Sequence, residues 1–395
     1  MTRMTVTDWA SPAFLADPYP FYRELRETDP VHFDDSRGVW MLMRYDDISA
    51  VLHDDARFTA RVGEGQPTSM LTSDPPQHTR LRSLVNKGFT ARRVQSLRPR
   101  IEAIVDGLLD GLESSRDIDL IADFAYPLPI TVIAELLGVD PEHRDFFRKV
   151  GEQVAFSLGP AAEGMAYQRP ANDRADIFKY FEELIERRRT DPKDDLVSAL
   201  VHAEDQGDLL SHVELLAMLF LLLVGGHETT VNLVTNGVLS LLRHPEEMER
   251  FRALADVPDA DERFSLQRRA LEEVLRYDSP VQYTGRIATT DLEIGGTQIH
   301  KGDRVRLILA SANRDDTVFP DAERFDIARE PNAHLAFGIG RHFCLGSQLA
   351  RLEGTIALAA FVRRFPRITF AQRRLRWRPA AVLRGLEELP LSVTQ

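Results

Sequence analysis

The chain has 395 residues, 43% of them hydrophobic and 28% charged, which supplies a large core and excludes a disordered or fibrous protein. Its net charge of −12 excludes a general nucleic-acid-binding role, which needs a basic face. One cysteine cannot close an internal disulfide, so nothing calls for an oxidising compartment. Residues 1–14 lack the basic-then-apolar pattern of a secretion signal. The longest uncharged apolar run, residues 215–226, falls short of the roughly 18–20 residues that span a bilayer and reads as a buried helix. A cytoplasmic protein without a membrane span is expected.

In chain order, Asp17-Pro18-Tyr19-Pro20 leads into a helix over 21–28, stopped by Pro30. A strand over 39–43 and a helix over 46–52 follow. Residues 60–76, rich in Gly, Pro, Ser and Thr, form a long loop of the kind that carries function. Between residues 77 and 100 there are seven Lys or Arg and no acid, which reads either as a solvated basic face or as an anion site and docking patch for an acidic partner. The spacing of Ile101, Ile104, Val105, Leu108, Leu109 and Leu112 predicts a core-facing helix, and a second spans 130–138, ending at Gly138. Residues 151–173 have weak periodicity and read as the least rigid part of the chain.

A long helix is expected over 211–242, yet its middle carries Gly225-Gly226-His227-Glu228-Thr229-Thr230. Two glycines inside a helix cost about 2 kcal/mol relative to alanine, so this notch serves a groove or a close helix contact. A helix over 266–277 holds Glu273 and Arg276, three residues apart on one face. Strands over 282–288 and 305–309 flank a hairpin over 292–299 that turns at Gly295-Gly296, and strand-like pieces at 368–370 and 391–393 close the chain. Helices fill the middle and strands cluster late, so residues 1–395 are expected to form a single mainly α domain with small β-sheets.

The only cysteine, Cys344, lies in Phe337-Gly338-Ile339-Gly340-Arg341-His342-Phe343-Cys344-Leu345-Gly346, just before an expected helix over 347–361. Glycines at 338, 340 and 346 allow positive φ and close approach to a flat partner, with amides turned back toward the sulfur. On these residues alone, Cys344 is a nucleophile, a metal ligand or a buried core thiol. In the first two cases its pKa is expected to be lowered.

Four motifs in one order resemble the cytochrome P450 superfamily of haem-thiolate monooxygenases, from about Asp17 to the C-terminus. The cysteine loop matches Phe-x-x-Gly-x-x-x-Cys-x-Gly, and the long helix matches Gly-Gly-x-Glu-Thr-Thr. Glu273-x-x-Arg276 is present, and Asp74-Pro75-Pro76-Gln77-His78-Thr79-Arg80-Leu81-Arg82 has the bacterial form. The resemblance implies a P450 fold with a long central helix over haem b (iron protoporphyrin IX) and Cys344 as the iron ligand. Phe337 and Gly338 would pack at the sulfur, while His78, Arg82, Arg286 and His342 would pair with the haem carboxylates. It further implies that Gly225 and Gly226 open a notch for O2, Thr229 hydrogen-bonds the oxygen being reduced, and Glu228 relays protons. Glu273, Arg276 and Arg324 would form a structural triad.

The same resemblance implies electrons from a separate ferredoxin and ferredoxin reductase, docking in part on Arg80, Lys87, Arg92 and Arg93. The substrate walls would include the loop over 60–76, residues 151–173, Leu222, Leu223, Val281, Thr284, Val382 and Leu383, a lining suited to a bulky, mostly apolar small molecule. The texture is closest to bacterial hydroxylases of macrolides and other secondary metabolites. A peroxide-driven oxygenase or isomerase, and a haem sensor or carrier without turnover, are the alternative readings.

Overall fold

The computed structural model describes residues 9, 11–61, 69–143, 146, 171–205, 208–372, 374–379 and 382–394. Much of the loop over 60–76 and nearly all of residues 151–173 therefore lie outside the described residues.

The architecture is mainly helical with small sheets, as expected. Its axis is the helix His212–Arg243, 32 residues and about 48 Å at 1.5 Å per residue. Ser211 caps it: its hydroxyl accepts from the Glu214 amide at 3.3 Å, and Glu214 Oε2 accepts from the Ser211 amide at 2.9 Å, a capping box. This helix is long and apolar enough to cross a membrane by composition, but it is mostly buried among other helices of the core, which is how the run over 215–226 was expected to behave. Pro127–Leu137 packs along it, with the two prolines inside the first turn, where a missing amide proton costs nothing. That helix ends at Gly138, whose φ of 78° is the left-handed cap its position predicts.

On the other side, Ser347–Arg364 crosses the axis. The crossing is close because Gly354 has no side chain: a Cβ there would lie 3.0 Å from Leu271 and 3.1 Å from Leu233. Leu233 belongs to the axis and Leu271 to Ala260–Tyr277, so three helices meet at one glycine. The last of these starts six residues before the expected 266, at the N-cap Asp259, whose carboxylate accepts from the Glu262 amide at 2.8 Å.

The main sheet has five strands in the spatial order Val31–Asp34, Val39–Leu42, Arg304–Leu307, Thr284–Ala288 and Phe58–Thr59. Val39–Leu42 and Arg304–Leu307 pair in parallel with Val305 opposite Trp40, and the other pairs are antiparallel. Arg286 sits opposite Val305. The strand expected over 305–309 stops at Leu307, and Leu309–Ala312 turns into a helical turn. The hairpin turns at Gly295 and Gly296, with φ of 56° and 83°, the double positive φ of a tight two-residue turn. A three-stranded sheet joins Arg367–Phe370, Pro390–Thr394 and Asp117–Asp119.

Between the sheet and the cysteine loop runs an irregular meander organised by a fully buried ion pair. Arg276 donates to both oxygens of Glu273 at 2.7 and 2.8 Å and to the carbonyls of Asn313, Ala322 and Arg324 at 2.9, 2.8 and 3.0 Å. Glu273 also accepts from the Asp326 amide at 2.9 Å, Asn332 Nδ2 at 3.1 Å and Arg329 Nε at 3.2 Å. This corrects the expected triad. Arg324 gives only its carbonyl and its side chain is exposed, whereas Arg329 supplies the third charge and also donates to the carbonyls of Pro320, Asp321 and Arg324. Arg329→Met is expected to lower unfolding free energy by roughly 1.5–3 kcal/mol, the value of hydrogen bonds to a charged group. Arg324→Met is expected to leave it unchanged; chemical denaturation of the two variants checks the assignment.

Candidate functional site

The cysteine loop is shaped by two glycines rather than three. Gly338 and Gly340 take φ of 64° and 71°, while Gly346, at φ −79°, is an ordinary N-cap of Ser347–Arg364. Gly340 is also a point of close approach, since a Cβ there would fall 2.5 Å from the Leu52 carbonyl oxygen. The turn Gly340–His342 brings the chain back so that the Cys344 amide donates to the Phe337 carbonyl at 2.9 Å, tying the thiol to the aromatic ring. Burial pushes the Cys344 thiol up, against the Gly346 amide, the Arg82 and Arg351 guanidiniums and the Ser347 amide, which pull it down. The lowering expected of a caged thiolate is therefore reversed in the protein alone. Desolvation is the larger effect, and a coordinated metal cation is what deprotonates such a thiol outright.

Beside the thiol, four basic side chains from three separated segments converge. His78 and Arg82 come from the helix Gln77–Gly88, Arg286 from the sheet and His342 from the cysteine loop. The His78 and His342 rings lie 4.3 Å apart, and Arg82 donates to the Arg341 carbonyl at 3.2 Å. Both ring nitrogens of the buried His78 lack a hydrogen-bond partner. Burial and the neighbouring Arg286, His78 and Arg82 charges drive His342 down to about 4, relieved only partly by Asp74. His78 is lowered by burial and then by Arg82, and Arg286 by burial, offset in part by Asp55 and Asp74. Clustered desolvated donors without a bonded carboxylate are costly, and the arrangement suits a ligand that brings its own negative charges. A flat cofactor with two carboxylates and a metal fits both halves of this site, the basic groups that no carboxylate of the described residues meets and the thiol beside them.

On the central helix, a Cβ at Gly225 would meet nothing within 4 Å among the described residues, and one at Gly226 would touch Ile133 at 3.4 Å. The Thr229 hydroxyl donates to the Gly225 carbonyl at 2.7 Å, which leaves its lone pairs available as acceptors. Glu228 is turned away by the helical step of about 100° and is buried in an ion pair with Arg378. Sequence reasoning missed Arg378, which lies 150 residues away in an irregular segment without periodicity and is aimed by its own bond to the Leu386 carbonyl at 3.0 Å. His227 packs edge-on against Tyr126 at 4.3 Å, and burial drives it down to about 3, so it is a neutral packing residue.

Of the expected substrate wall, Val281 and Leu383 pair across an isolated bridge, Val382 accepts from the Gln282 amide at 2.8 Å, and Thr284 begins the adjacent strand. Leu222 and Leu223 are both buried on the central helix. A surface cleft of about 660 Å³ near Arg98, Phe251 and Phe264 includes none of the candidate residues. The basic run also looks different in three dimensions. Arg80 is held by both oxygens of Glu214, and Arg93, Arg98 and Arg100 by Asp194, Glu102 and Glu135, so acids outside the run neutralise much of it.

The cytochrome P450 family matches residues 164–375. Cytochrome P450 107B1 of Saccharopolyspora erythraea is 43% identical, over 96% of both chains. Cytochrome P450 monooxygenase PikC of Streptomyces venezuelae is 42% identical, over 96% of this chain and 91% of that one. Among solved structures, the Bacillus subtilis 168 bacillaene polyketide synthase cytochrome P450 PksS superposes with a TM-score of 0.88 at 40% identity, covering 98% and 99% of the two chains. A thiol in a glycine-shaped loop, flanked by basic side chains that no carboxylate of the described residues meets, therefore sits in a chain that belongs to the cytochrome P450 family, a haem-dependent monooxygenase with the P450 fold.

Proposed function

We propose that Cys344 is the axial thiolate of the haem iron, that His78, Arg82, Arg286 and His342 bind the haem carboxylates, and that Phe337 and Gly338 pack at the sulfur. The observation that carries this reading is the convergence of four basic groups from three segments beside the Cys344 thiol, each pushed toward its neutral form by burial and none bonded to a carboxylate among the described residues, with His78 lacking a partner at either ring nitrogen there. When bound, the haem supplies activation of O2 and transfer of one oxygen atom to substrate, the other leaving as water with two electrons and two protons.

The chain's own residues divide the remaining work. Gly225 and Gly226 leave room for a diatomic ligand, and Thr229 Oγ1, anchored on the Gly225 carbonyl, orients a hydrogen-bonded partner in that space. Glu228, ion-paired with Arg378 and buried, serves as the acid of a proton relay rather than as a direct partner of oxygen. Leu222, Val281, Thr284, Val382 and Leu383 contribute to an apolar wall that admits a bulky, mostly apolar molecule and excludes water.

On this reading the whole chain is one haem domain that hydroxylates or epoxidises such a substrate in the cytoplasm, as part of secondary metabolism. The kinship with PikC and with the polyketide-synthase P450 PksS supports that setting. Electrons come from a separate ferredoxin and reductase. With Arg80 and Arg93 engaged internally, the exposed Arg92 is the better candidate among the expected contacts for an acidic partner.

Cys344→His is expected to abolish the strongly red-shifted Soret band of the reduced, carbon-monoxide-bound protein; its retention would overturn the ligand assignment. Glu228→Ala is expected to slow product formation by roughly 10²-fold, the contribution of a positioned acid, and Thr229→Ala to keep consuming reductant while the product fraction falls several-fold. Coupled turnover by the double variant, measured as product per reductant, would contradict the relay. Gly225→Ala is expected to raise unfolding free energy by about 0.5–1 kcal/mol while slowing turnover, because the helix gains an alanine and the notch loses its space. A library screened by the optical spin-state change on binding identifies the substrate without a redox partner.

A further inference from the structure

Two consecutive glutamates on the helix Ala260–Tyr277 face different tasks. Glu273 holds the meander, as described above. Glu272 turns toward the cysteine side, where its two oxygens accept from Arg351 Nε at 2.6 Å and a terminal guanidinium nitrogen at 3.0 Å. This is the two-pronged geometry that fixes a guanidinium plane. Glu272 Oε2 also lies 2.9 Å from His334 Nε2, and His334 has only 3% of its side chain exposed. The tautomer of that ring follows from its other nitrogen: the Ala336 amide donates to His334 Nδ1 at 3.2 Å, so Nδ1 is an acceptor and Nε2 carries the proton given to Glu272. Burial pushes Glu272 up, but His334 and Arg351 outweigh it and hold the carboxyl down at about 2, so it stays charged under all ordinary conditions.

The clamped guanidinium does not point into water. Its carbon lies 4.4 Å from the centroid of the Phe337 ring, within cation–π range. The same ring is 6.1 Å from His334, and the Phe337 carbonyl receives the Cys344 amide. Arg351 is one of the charges felt by the Cys344 sulfur. Asn332, His334 and Phe337 belong to one stretch that Glu273 grips at its start and Glu272 further along, so the stretch entering the cysteine loop is held at both carboxylates.

We propose that Arg351 is a positioning residue for the thiolate: clamped by Glu272, it fixes the Phe337 ring beside the sulfur and keeps a permanent positive charge there. The proposal rests on Cys344 being the axial ligand. A fixed cation near the sulfur stabilises the electron-rich, reduced site, so removing it makes reduction harder and thiolate retention poorer.

The test uses the full haem-loaded chain as parent, Arg351→Met and Arg351→Lys. Three quantities are read: the haem reduction potential, the rate at which the reduced carbon monoxide complex loses its red-shifted Soret band, and the thermal unfolding midpoint. Arg351→Met is expected to shift the potential negative and to lose the band several-fold faster. Arg351→Lys keeps the charge without the fork, so its potential is expected to stay near the parent's while band loss is still accelerated. An Arg351→Met protein with the parent's potential and band lifetime, whether or not its midpoint falls, would overturn the proposal by reducing Arg351 to a structural role. So would a lysine variant whose potential shifts as far as the methionine variant's. If the methionine variant does not fold, the lysine variant decides by the same two optical and redox readings. A parent without the red-shifted band would instead mean that the ligand assignment itself is wrong, and the proposal would fall with it.

Discussion

Glu273 and Arg276 form an ion pair entirely removed from water, and the cysteine side of the molecule hangs on it. Each charge is met by more than its partner: three carbonyls on the arginine, and an amide, an asparagine and a second arginine on the glutamate. A buried pair of this kind is tolerable only when its remaining donors and lone pairs are filled, and here the filling groups belong to the irregular chain between residues 313 and 332. A segment with no regular backbone ladder thus acquires one conformation by solvating a salt bridge. That conformation delivers Phe337 and Cys344 to the centre of the molecule.

The same rule runs the other way at the site. Among the described residues no carboxylate bonds to the buried His78 or to the half-buried Arg82, Arg286 and His342, and burial lowers the affinity of each for its proton. The protein supplies satisfied charges where the fold needs rigidity, and on the proposed reading these four groups would gain their counter-charges from the haem carboxylates. On that reading, binding the haem would join segments at residues 78, 286 and 342 and so link cofactor affinity to fold stability. On the central helix, the Gly225 notch weakens an element that is otherwise long, capped and mostly buried, a local loss of stability that the surrounding core offsets.

How much of this was legible in the residues depended on whether the chemistry was local. The cysteine loop, the glycine-threonine notch and the Glu273–Arg276 spacing were readable because each lies within one turn or one helix, where spacing dictates geometry. The third member of the buried cluster was misassigned: Arg324 and Arg329 are five residues apart in a meander without periodicity, and only the folded backbone decides which turns inward. Arg378 against Glu228, and Arg351 against Glu272, join residues 150 and 79 positions apart, and no pattern marks them. The basic run over 77–100 could not show its own neutralisation for a related reason, since the acids that pair with Arg80 and Arg93 are Glu214 and Asp194. The thiol pKa was expected low from its amides and glycines, but burial depth, which no local pattern reports, is the stronger effect.

The central claim is that the only cysteine ligates the iron. Iron-edge X-ray absorption of the oxidised, haem-loaded chain and of its Cys344→Ser variant tests it most directly. A sulfur scatterer in the first shell of the parent that disappears in the variant is the expected result. A first shell of nitrogen and oxygen alone in the parent, or sulfur that persists in the variant, would contradict it.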